Sequence, residues 1–336
     1  MTMKDPGYAG ARWDGEQHDG HTESWFFKAN APDGERALWL KWTLFQSARD
    51  ARGNGAPTRA IAEAWAVAFS RGGQHVAVKS SAPASSARFA REELDVRIDG
   101  LRLGPRVARG AIESGGRAVA VDLAIDGRGG PFVAYHDAWM RGRFPSQKLC
   151  SPVVDARVTG TARIDGAVWD LAAWPAMIGH NWGPRHTPEY AWLHCNSWDE
   201  DIPLVVECAS GRTRVGPVLA PFATIAWARL GGEELRMTSP LSIARNRATV
   251  SPHAYTVKAY GGGASLVLEA ASEHADTVGL LYPNPSGAPT YCLNSKLARA
   301  RVTLRTPGGK TLIATSRAAA LEIGTLDPTH GVRMVL

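Results

Sequence analysis

The chain of 336 residues has 44% hydrophobic and 21% charged residues and a formal net charge of +6, which is ordinary for a soluble globular protein. Its length exceeds what one small core needs and predicts two domains or one large β architecture. The basic residues are scattered, and no RNA-recognition, helix-turn-helix or zinc-finger motif is present, so we expect no nucleic-acid partner.

Segment 1–20 lacks the apolar run of a secretory signal and is interpreted as an N-terminal tail. The sequence nowhere contains about 18 consecutive apolar residues, so no stable membrane insertion is expected. The cysteines have neither C-x-x-C nor metal-ligand spacing, which predicts free thiols, no metal site and a reducing, cytoplasmic location. They are Cys150, Cys195, Cys208 and Cys292.

Alternation of apolar and polar residues with period two dominates the first half of the chain. Short strands of this kind, rich in β-branched and aromatic residues, are typical of barrels and sandwiches. The exception is SARFAREELDVRI (86–98), which favours a short helical turn. The predicted strands are SWFFKA (24–29), ALWLKWTLF (37–45), AEAWAVAFS (62–70), QHVAVKS (74–80), GRAVAVDLAID (116–126) and DARVTGTARIDGAVWDLA (155–172).

The second half repeats the pattern after a loop-like segment, GHNWGPRHTPE (179–189), which is the predicted linker. No βαβ rhythm occurs in either half. The sequence therefore predicts an all-β protein of two tandem antiparallel β-barrels, over 21–185 and 186–336. The strands of the second half are YAWLHCNSW (190–198), PLVVECA (203–209), FATIAWARL (222–230), AYTVKAY (254–260), ASLVLEAAS (264–272), ARVTLRT (300–306) and AALEIGTL (319–326).

The stretch 174–201 is unusually rich in tryptophan, histidine and asparagine. Because alternate residues of a strand share a face, segment 190–198 places polar side chains among aromatic rings. Such a face favours a partly dry ligand cavity, although a core whose polar groups satisfy one another is the alternative. The residues on this face are Tyr190, Trp192, His194, Asn196 and Trp198.

A turn over 200–203 sets the register of the hairpin that follows. Symmetry about this turn pairs Asn196 with Glu207 and sets Cys195 opposite Cys208. Glu207 then joins the aromatic face of the preceding strand.

Three segments resemble the tocopherol cyclase and carotenoid 1,2-hydratase (hydroxyneurosporene synthase) superfamily. They are ESWFFKANAPDGERALWLKWTLF (23–45), WMRGRFPSQKLCSP (139–152) and GHNWG (179–183) with the YAW strand after it. The resemblance covers most of residues 20–336 and implies two lipocalin-like (calycin-type) barrels. It also implies cofactor-free hydration, cyclisation or pericyclic ring closure of hydrophobic isoprenoid or polyene substrates. In that family the segment at 179–183 closes the first barrel beside a cavity between the domains.

Protonation of an alkene needs an acid and walls that tolerate a carbocation. Glu207, His194 and His180 are the candidate acids, and Glu207 is favoured because a carboxyl group in an apolar pocket stays protonated near neutral pH. Glu23 is a second candidate carboxylate. The candidate walls are Trp25, Trp182, Trp192 and Trp198.

A pericyclic reaction or an isomerisation needs only hydrogen bonds to a substrate carbonyl in a shaped cavity. Asn181, Asn196, Lys148 and Tyr282 are the predicted donors, although Lys148 is equally well interpreted as a surface or ion-pairing residue.

Two functions compete on this sequence. The first is a cofactor-independent cyclase, hydratase or isomerase, and the second is a carrier that binds a hydrophobic small molecule without changing it. A carrier needs only the apolar cavity, so its polar residues would be replaceable. A homodimer formed through exposed sheet edges is a further alternative.

Overall fold

The protein is almost entirely antiparallel β structure in a computed structural model. Two short helices interrupt it, α1 (Asp137–Arg141) and α2 (Pro240–Arg245), with 3-10 turns at Ala84–Ser86 and His274–Asp276. No helix in the described part of the chain has the length and apolar content needed to cross a membrane. The structure describes residues 7–15, 17, 19–48, 60–215, 218–285 and 287–336.

The first half forms one curled sheet with the strand order β4-β3-β2-β1-β12-β11-β9-β8-β7-β6-β5, and β10 pairs with β11. Its strands are β1 (His21–Asn30), β2 (Arg36–Gln46), β3 (Ala60–Ser70), β4 (Val76–Pro83), β5 (Arg88–Phe89), β6 (Val96–Ile98), β7 (Leu101–Gly104), β8 (Val107–Ser114), β9 (Arg117–Gly127), β10 (Phe132–Val133), β11 (Lys148–Ile164) and β12 (Ala167–Gly183).

The second half repeats this arrangement in the order β18-β17-β14-β13-β24-β23-β21-β20-β19, with β22 paired to β23 and a separate β15–β16 ribbon. Its strands are β13 (Glu189–Cys195), β14 (Leu204–Arg212), β15 (Arg214–Val215), β16 (Val218–Leu219), β17 (Ala223–Leu230), β18 (Glu233–Met237), β19 (Arg247–Ser251), β20 (Ala254–Gly261), β21 (Ala264–Ala271), β22 (Val278–Tyr282), β23 (Thr290–Arg305) and β24 (Thr311–Thr325).

In each sheet the strand that comes first in the chain pairs with the strand that comes last, since β1 pairs with β12 and β13 pairs with β24. In the first half β4 also lies against β8 and β9, so the sheet curls around one apolar core. The second half encloses its own core. The predicted all-β fold of two lipocalin-like barrels is confirmed.

The long β11–β12 hairpin shows how the local sequence builds this fold. Its two-residue turn is Asp165–Gly166, and both residues have positive φ, 49° and 88°. An Asp-Gly pair adopts this conformation at little cost, and its twist matches that of the flanking strands. The hairpin therefore brings residues 148–164 and 167–183 together as neighbouring strands.

Three local predictions need correction. Segment 155–172, predicted as one strand, contains the turn of the β11–β12 hairpin. Segment 86–98 contains no α-helix, because β5 and β6 form there and pair with each other. The predicted linker 179–189 is strand at both ends, since β12 runs to Gly183 and β13 begins at Glu189. The alternation of GHNWG is part of a ladder with β1, so only the residues between these strands connect the two sheets.

The predicted register of the β13–β14 hairpin is also wrong, by two residues. His194 pairs with Glu207, and Leu193, rather than Cys195, pairs with Cys208. A shift of two residues keeps every side chain on its face, because the side-chain period of a strand is two. Glu207 therefore still shares a face with His194.

Candidate functional site

The outer faces of the two curled sheets pack against each other, and the layer between them holds the candidate site. On β2, Leu38 and Leu40 belong to the core of the first barrel. Trp39, between them, points the other way and packs with Leu280 and Tyr282 of the second half. The strands in this layer are therefore buried on both faces.

A cavity of about 220 Å³ lies in this layer. Both sheets and both α-helices contribute to its wall, which is mostly apolar and aromatic, as is usual for small-molecule sites. The apolar wall includes Phe26, Trp139, Leu149, Trp192, Ile225 and Ile243.

Polar side chains gather at one part of this wall around Lys41. Lys41 Nζ lies 3.4 Å from the centroid of the Tyr282 ring and 6.0 Å from that of Trp39, and no described residue gives it an oxygen acceptor. The Trp39 indole N–H and the Tyr282 hydroxyl are both buried without a hydrogen-bond partner in the described residues. Cys292 lies beside this hydroxyl, but its thiol donates to Glu322 at 3.7 Å.

Burial controls the charge states of Lys41, His186 and Tyr282. It lowers the pKa of Lys41 to about 8, although the negative charge of Glu322 opposes the shift. Burial and the nearby Lys41 lower the pKa of His186 to about 3, and burial raises that of Tyr282 well above its usual range. At neutral pH this part of the wall therefore contains the Lys41 ammonium group, the neutral imidazole of His186 and the protonated phenol of Tyr282.

Glu322 also lines the cavity, but its carboxylate is already engaged. Its Oε1 accepts hydrogen bonds from Lys296 Nζ at 2.8 Å and from Asn294 Nδ2 at 3.1 Å. Glu322 therefore neutralises Lys296 more directly than it does Lys41.

Four of the residues predicted from the sequence line the cavity: Lys148, Asn181, Trp192 and Tyr282. Lys148 is buried, and its ammonium group donates to the carbonyl of Trp139, which ties β11 to α1. Asn181 faces the cavity because it alternates with its two neighbours on β12.

Glu207 lies behind the cavity wall. Its carboxyl group accepts hydrogen bonds from Trp192 Nε1 at 3.0 Å and from Ser151 Oγ at 2.8 Å. Burial raises the pKa of Glu207 to about 7, although these hydrogen bonds and the charge of Lys28 oppose the rise. Glu207 thus holds the Trp192 ring in place and joins β14 to β11.

His194 and Asn196 also join the two halves without lining the cavity. His194 Nε2 donates to the carbonyl of Val154 at 2.8 Å. Burial, together with the charge of Lys28, lowers its pKa far below the usual range. Asn196 Nδ2 donates to Asp155 at 2.8 Å, and its Oδ1 accepts from Lys28 Nζ at 2.8 Å. These hydrogen bonds join the two halves, whereas His194 Nδ1 is buried and has no partner among the described residues.

Glu23 and His180 form a second polar cluster, inside the first barrel. Glu23 is fully buried and accepts hydrogen bonds from His180 Nε2 at 2.8 Å and His21 Nε2 at 2.9 Å. The backbone N–H groups of Arg12 and Trp13 also donate to it. Burial alone would raise the pKa of Glu23, but these imidazoles outweigh it and lower the pKa to about 2.

Trp25 and Trp182 enclose His180, with ring centroids at 4.6 Å and 4.7 Å from the imidazole. All three rings point away from the cavity, because β12 turns His180 inward and Asn181 outward. Trp198 lies beyond the end of β13, donates to the carbonyl of Leu204 at 2.8 Å and packs on the core of the second barrel. The predicted alternation fails there because the strand ends at Cys195.

Sequence reasoning missed Trp39, Lys41, His186 and Glu322, and it named Tyr190 only as a residue of the aromatic face. A usable signal was present for two of them, since Lys41 in ALWLKWTLF and Glu322 in AALEIG are single charged residues in apolar strands. Charged side chains are rarely buried without a specific partner or ligand. No three His, Cys, Asp or Glu side chains in the described ranges are grouped as metal ligands.

A family model described as tocopherol cyclase-like matches residues 149–325. The chain belongs to this family. The matched segment begins in β11 and extends through β24, so it contains two cavity-lining strands of the first half, β11 and β12, and the whole second sheet. Two uncharacterised proteins of Mycobacterium tuberculosis, Rv0493c and MT0513, are each 25% identical over 235 residues, which is 69% of this chain and 68% of each relative.

Solved structures share the fold at low sequence identity. CghA matches with a TM-score of 0.61 and 12% identity over 97% of this chain and 93% of its own. A Nitrosomonas europaea protein named provisionally as AttH has a TM-score of 0.57 and 15% identity over 96% and 97%. Kievitone hydratase from Nectria haematococca has a TM-score of 0.53 and 10% identity over 97% and 96%.

Proposed function

We propose that this protein is a cofactor-independent enzyme that cyclises, hydrates or isomerises a hydrophobic isoprenoid or polyene-type substrate in the cavity between its barrels. The observation that carries the proposal is that Lys41, Tyr282 and Trp39 line a mostly apolar and aromatic cavity, with Lys41 Nζ 3.4 Å from the centroid of the Tyr282 ring. Membership of the tocopherol cyclase-like family and the likeness to a fold that includes a hydratase support it.

The arrangement suits a reaction in which charge develops on an oxygen atom of the substrate. Lys41 Nζ has no acceptor among the described residues and lies against the Tyr282 ring before the substrate arrives, so little reorganisation is needed as negative charge grows. The aromatic wall, including Phe26 and Trp192, holds an apolar chain in a folded conformation and stabilises positive charge on carbon.

Lys41 and Tyr282 are better placed than Glu207 to contact a substrate. Glu207 lies behind Trp192, and its carboxyl oxygens accept hydrogen bonds from the Trp192 indole and from the Ser151 hydroxyl. We therefore assign Glu207 a positioning role in this proposal, and the acid or electrophile to the wall residues.

Tyr282→Phe tests the proposal, because it removes only the hydroxyl. The protein is incubated with a lipid extract of the producing cell, and conversion to isomeric or hydrated products is followed by mass spectrometry. Turnover should fall about 10²-fold, the usual effect of losing one such donor. Tyr260→Phe, on the exposed surface, is the matched control and should leave turnover unchanged.

Components that bind but return unaltered from the wild-type protein would support the carrier alternative. Full turnover in Tyr282→Phe would remove this hydroxyl from the mechanism.

A further inference from the structure

Four lysine side chains are buried in the described part of the protein: Lys28, Lys41, Lys148 and Lys296. Three of them have oxygen acceptors. Lys28 donates to Asn30 and Asn196, Lys148 to a backbone carbonyl, and Lys296 to Glu322. Lys41 differs, since its ammonium group contacts aromatic rings and faces the cavity.

The donors beside Lys41 are also unused. The Tyr282 hydroxyl and the Trp39 indole N–H are buried and have no partner among the described residues. A folded protein rarely leaves one buried donor unpaired, and each such group calls for an explanation. Of these groups, the Lys41 ammonium group faces the cavity, so a ligand bound there can supply the acceptor that Lys41 lacks.

The charge balance indicates that this acceptor is an anion. Glu322 is bound to Lys296, and Glu63 accepts hydrogen bonds from Lys79 and Ser81. Neither carboxylate forms an ion pair with Lys41, although both act on its charge at longer range, so no described side chain pairs directly with its ammonium group. A single free ammonium group near Glu322 suits one negative charge, whereas a phosphate dianion would be repelled by this carboxylate.

We propose that Lys41, Tyr282 and Trp39 bind the carboxylate or enolate oxygen of an amphipathic ligand whose apolar chain extends along Phe26 and Trp192. The ligand class is thus a hydrophobic monoanion, not a hydrocarbon. This assignment deepens the proposed function and rests on it, because it takes the cavity to be the substrate site.

Calorimetric titration with geranic acid and its primary amide tests the assignment. The two probes have nearly the same shape, and their short terpenoid chain suits a cavity of about 220 Å³. At pH 7 the wild-type protein should bind the acid about tenfold more tightly than the amide.

Lys41→Met should abolish the preference, and Lys41→Arg should restore part of it. Lys258→Met is the control, since Lys258 is exposed on β20 and does not line the cavity, and it should keep the preference. If Lys41→Met does not fold, Tyr282→Phe serves instead and should lower the preference about threefold.

Equal affinity for acid and amide in the wild-type protein would overturn the assignment and leave the cavity as a neutral-ligand site. An undiminished preference in Lys41→Met would overturn it as well. Binding of neither probe would overturn the proposed use of the cavity and the assignment with it.

Discussion

Two buried polar clusters in this protein contain similar chemical groups and differ in how completely those groups are paired. Inside the first barrel, Glu23 accepts hydrogen bonds from His21, His180 and two backbone amides. Between the barrels, Lys41 and Tyr282 have donors without acceptors. A histidine enclosed by tryptophans is therefore not in itself a sign of an active site.

This difference in pairing distinguishes the cluster that stabilises the fold from the cluster that we assign to ligand binding. A buried charge with all its partners holds the surrounding structure together, whereas buried groups without partners cost free energy until a ligand satisfies them. Substitutions in the two clusters should therefore change stability in opposite directions.

Glu23→Gln should have the largest effect. It removes the charge that both imidazoles face and leaves their N–H groups poorly satisfied, so the free energy of unfolding should fall by about 3–5 kcal/mol. Chemical denaturation measures this change. Asp122→Asn is the control, because Asp122 is exposed in a surface ion pair with Arg109, and it should change stability by less than about 0.5 kcal/mol. A small change in the free energy of unfolding for Glu23→Gln would show that the Glu23 cluster does not stabilise the fold.

The pH dependence of stability should separate Glu23 from Glu207. The pKa of Glu23 is lowered from 4.5 to about 2 on folding, so its contribution is present above pH 4.5 and is lost as the pH falls through 2. The pKa of Glu207 is raised from 4.5 to about 7. Its contribution is full below pH 4.5 and is lost as the pH rises through 7.

The difference in unfolding free energy between wild type and each variant, measured from pH 2 to 8, isolates these contributions. Glu23→Gln should remove a rise between pH 2 and 4.5, and Glu207→Gln a decline between pH 4.5 and 7. Parallel curves for wild type and either variant would contradict the charge state given to that residue.

Lys41→Met should have the smallest effect and the opposite sign to Glu23→Gln. The cavity loses a poorly solvated charge and gains an apolar side chain of similar length, so the free energy of unfolding should rise by about 1–2 kcal/mol without ligand. Lys296→Met, which deprives Glu322 of its partner, should lower it by about 3 kcal/mol. A loss of stability in both variants would mean that Lys41 has a structural partner after all.

Much of the fold follows from local patterns. Alternation located most strands, and it placed Glu207 on the face of His194 although the register was displaced by two residues. It failed where tertiary pairing overrides the local pattern, as at GHNWG, which reads as a turn and is the end of β12.

The sequence predicted only part of the candidate site. Trp192, Lys148, Asn181 and Tyr282 were predicted and line the cavity. Lys41 escaped notice because its strand is apolar on both faces, so the sequence around it resembles a fully buried strand.

The sequence by itself determined that the chain is built of antiparallel strands and which side chains of each strand share a face. Only the tertiary structure decided which of the two faces fills a barrel and which meets the other barrel. The reason is physical, since both faces of the central strands are buried. Local periodicity indicates which side chains are buried but not which part of the protein they pack against. His180 and Asn181 are adjacent in the chain, yet one is sealed against Glu23 and the other faces the cavity.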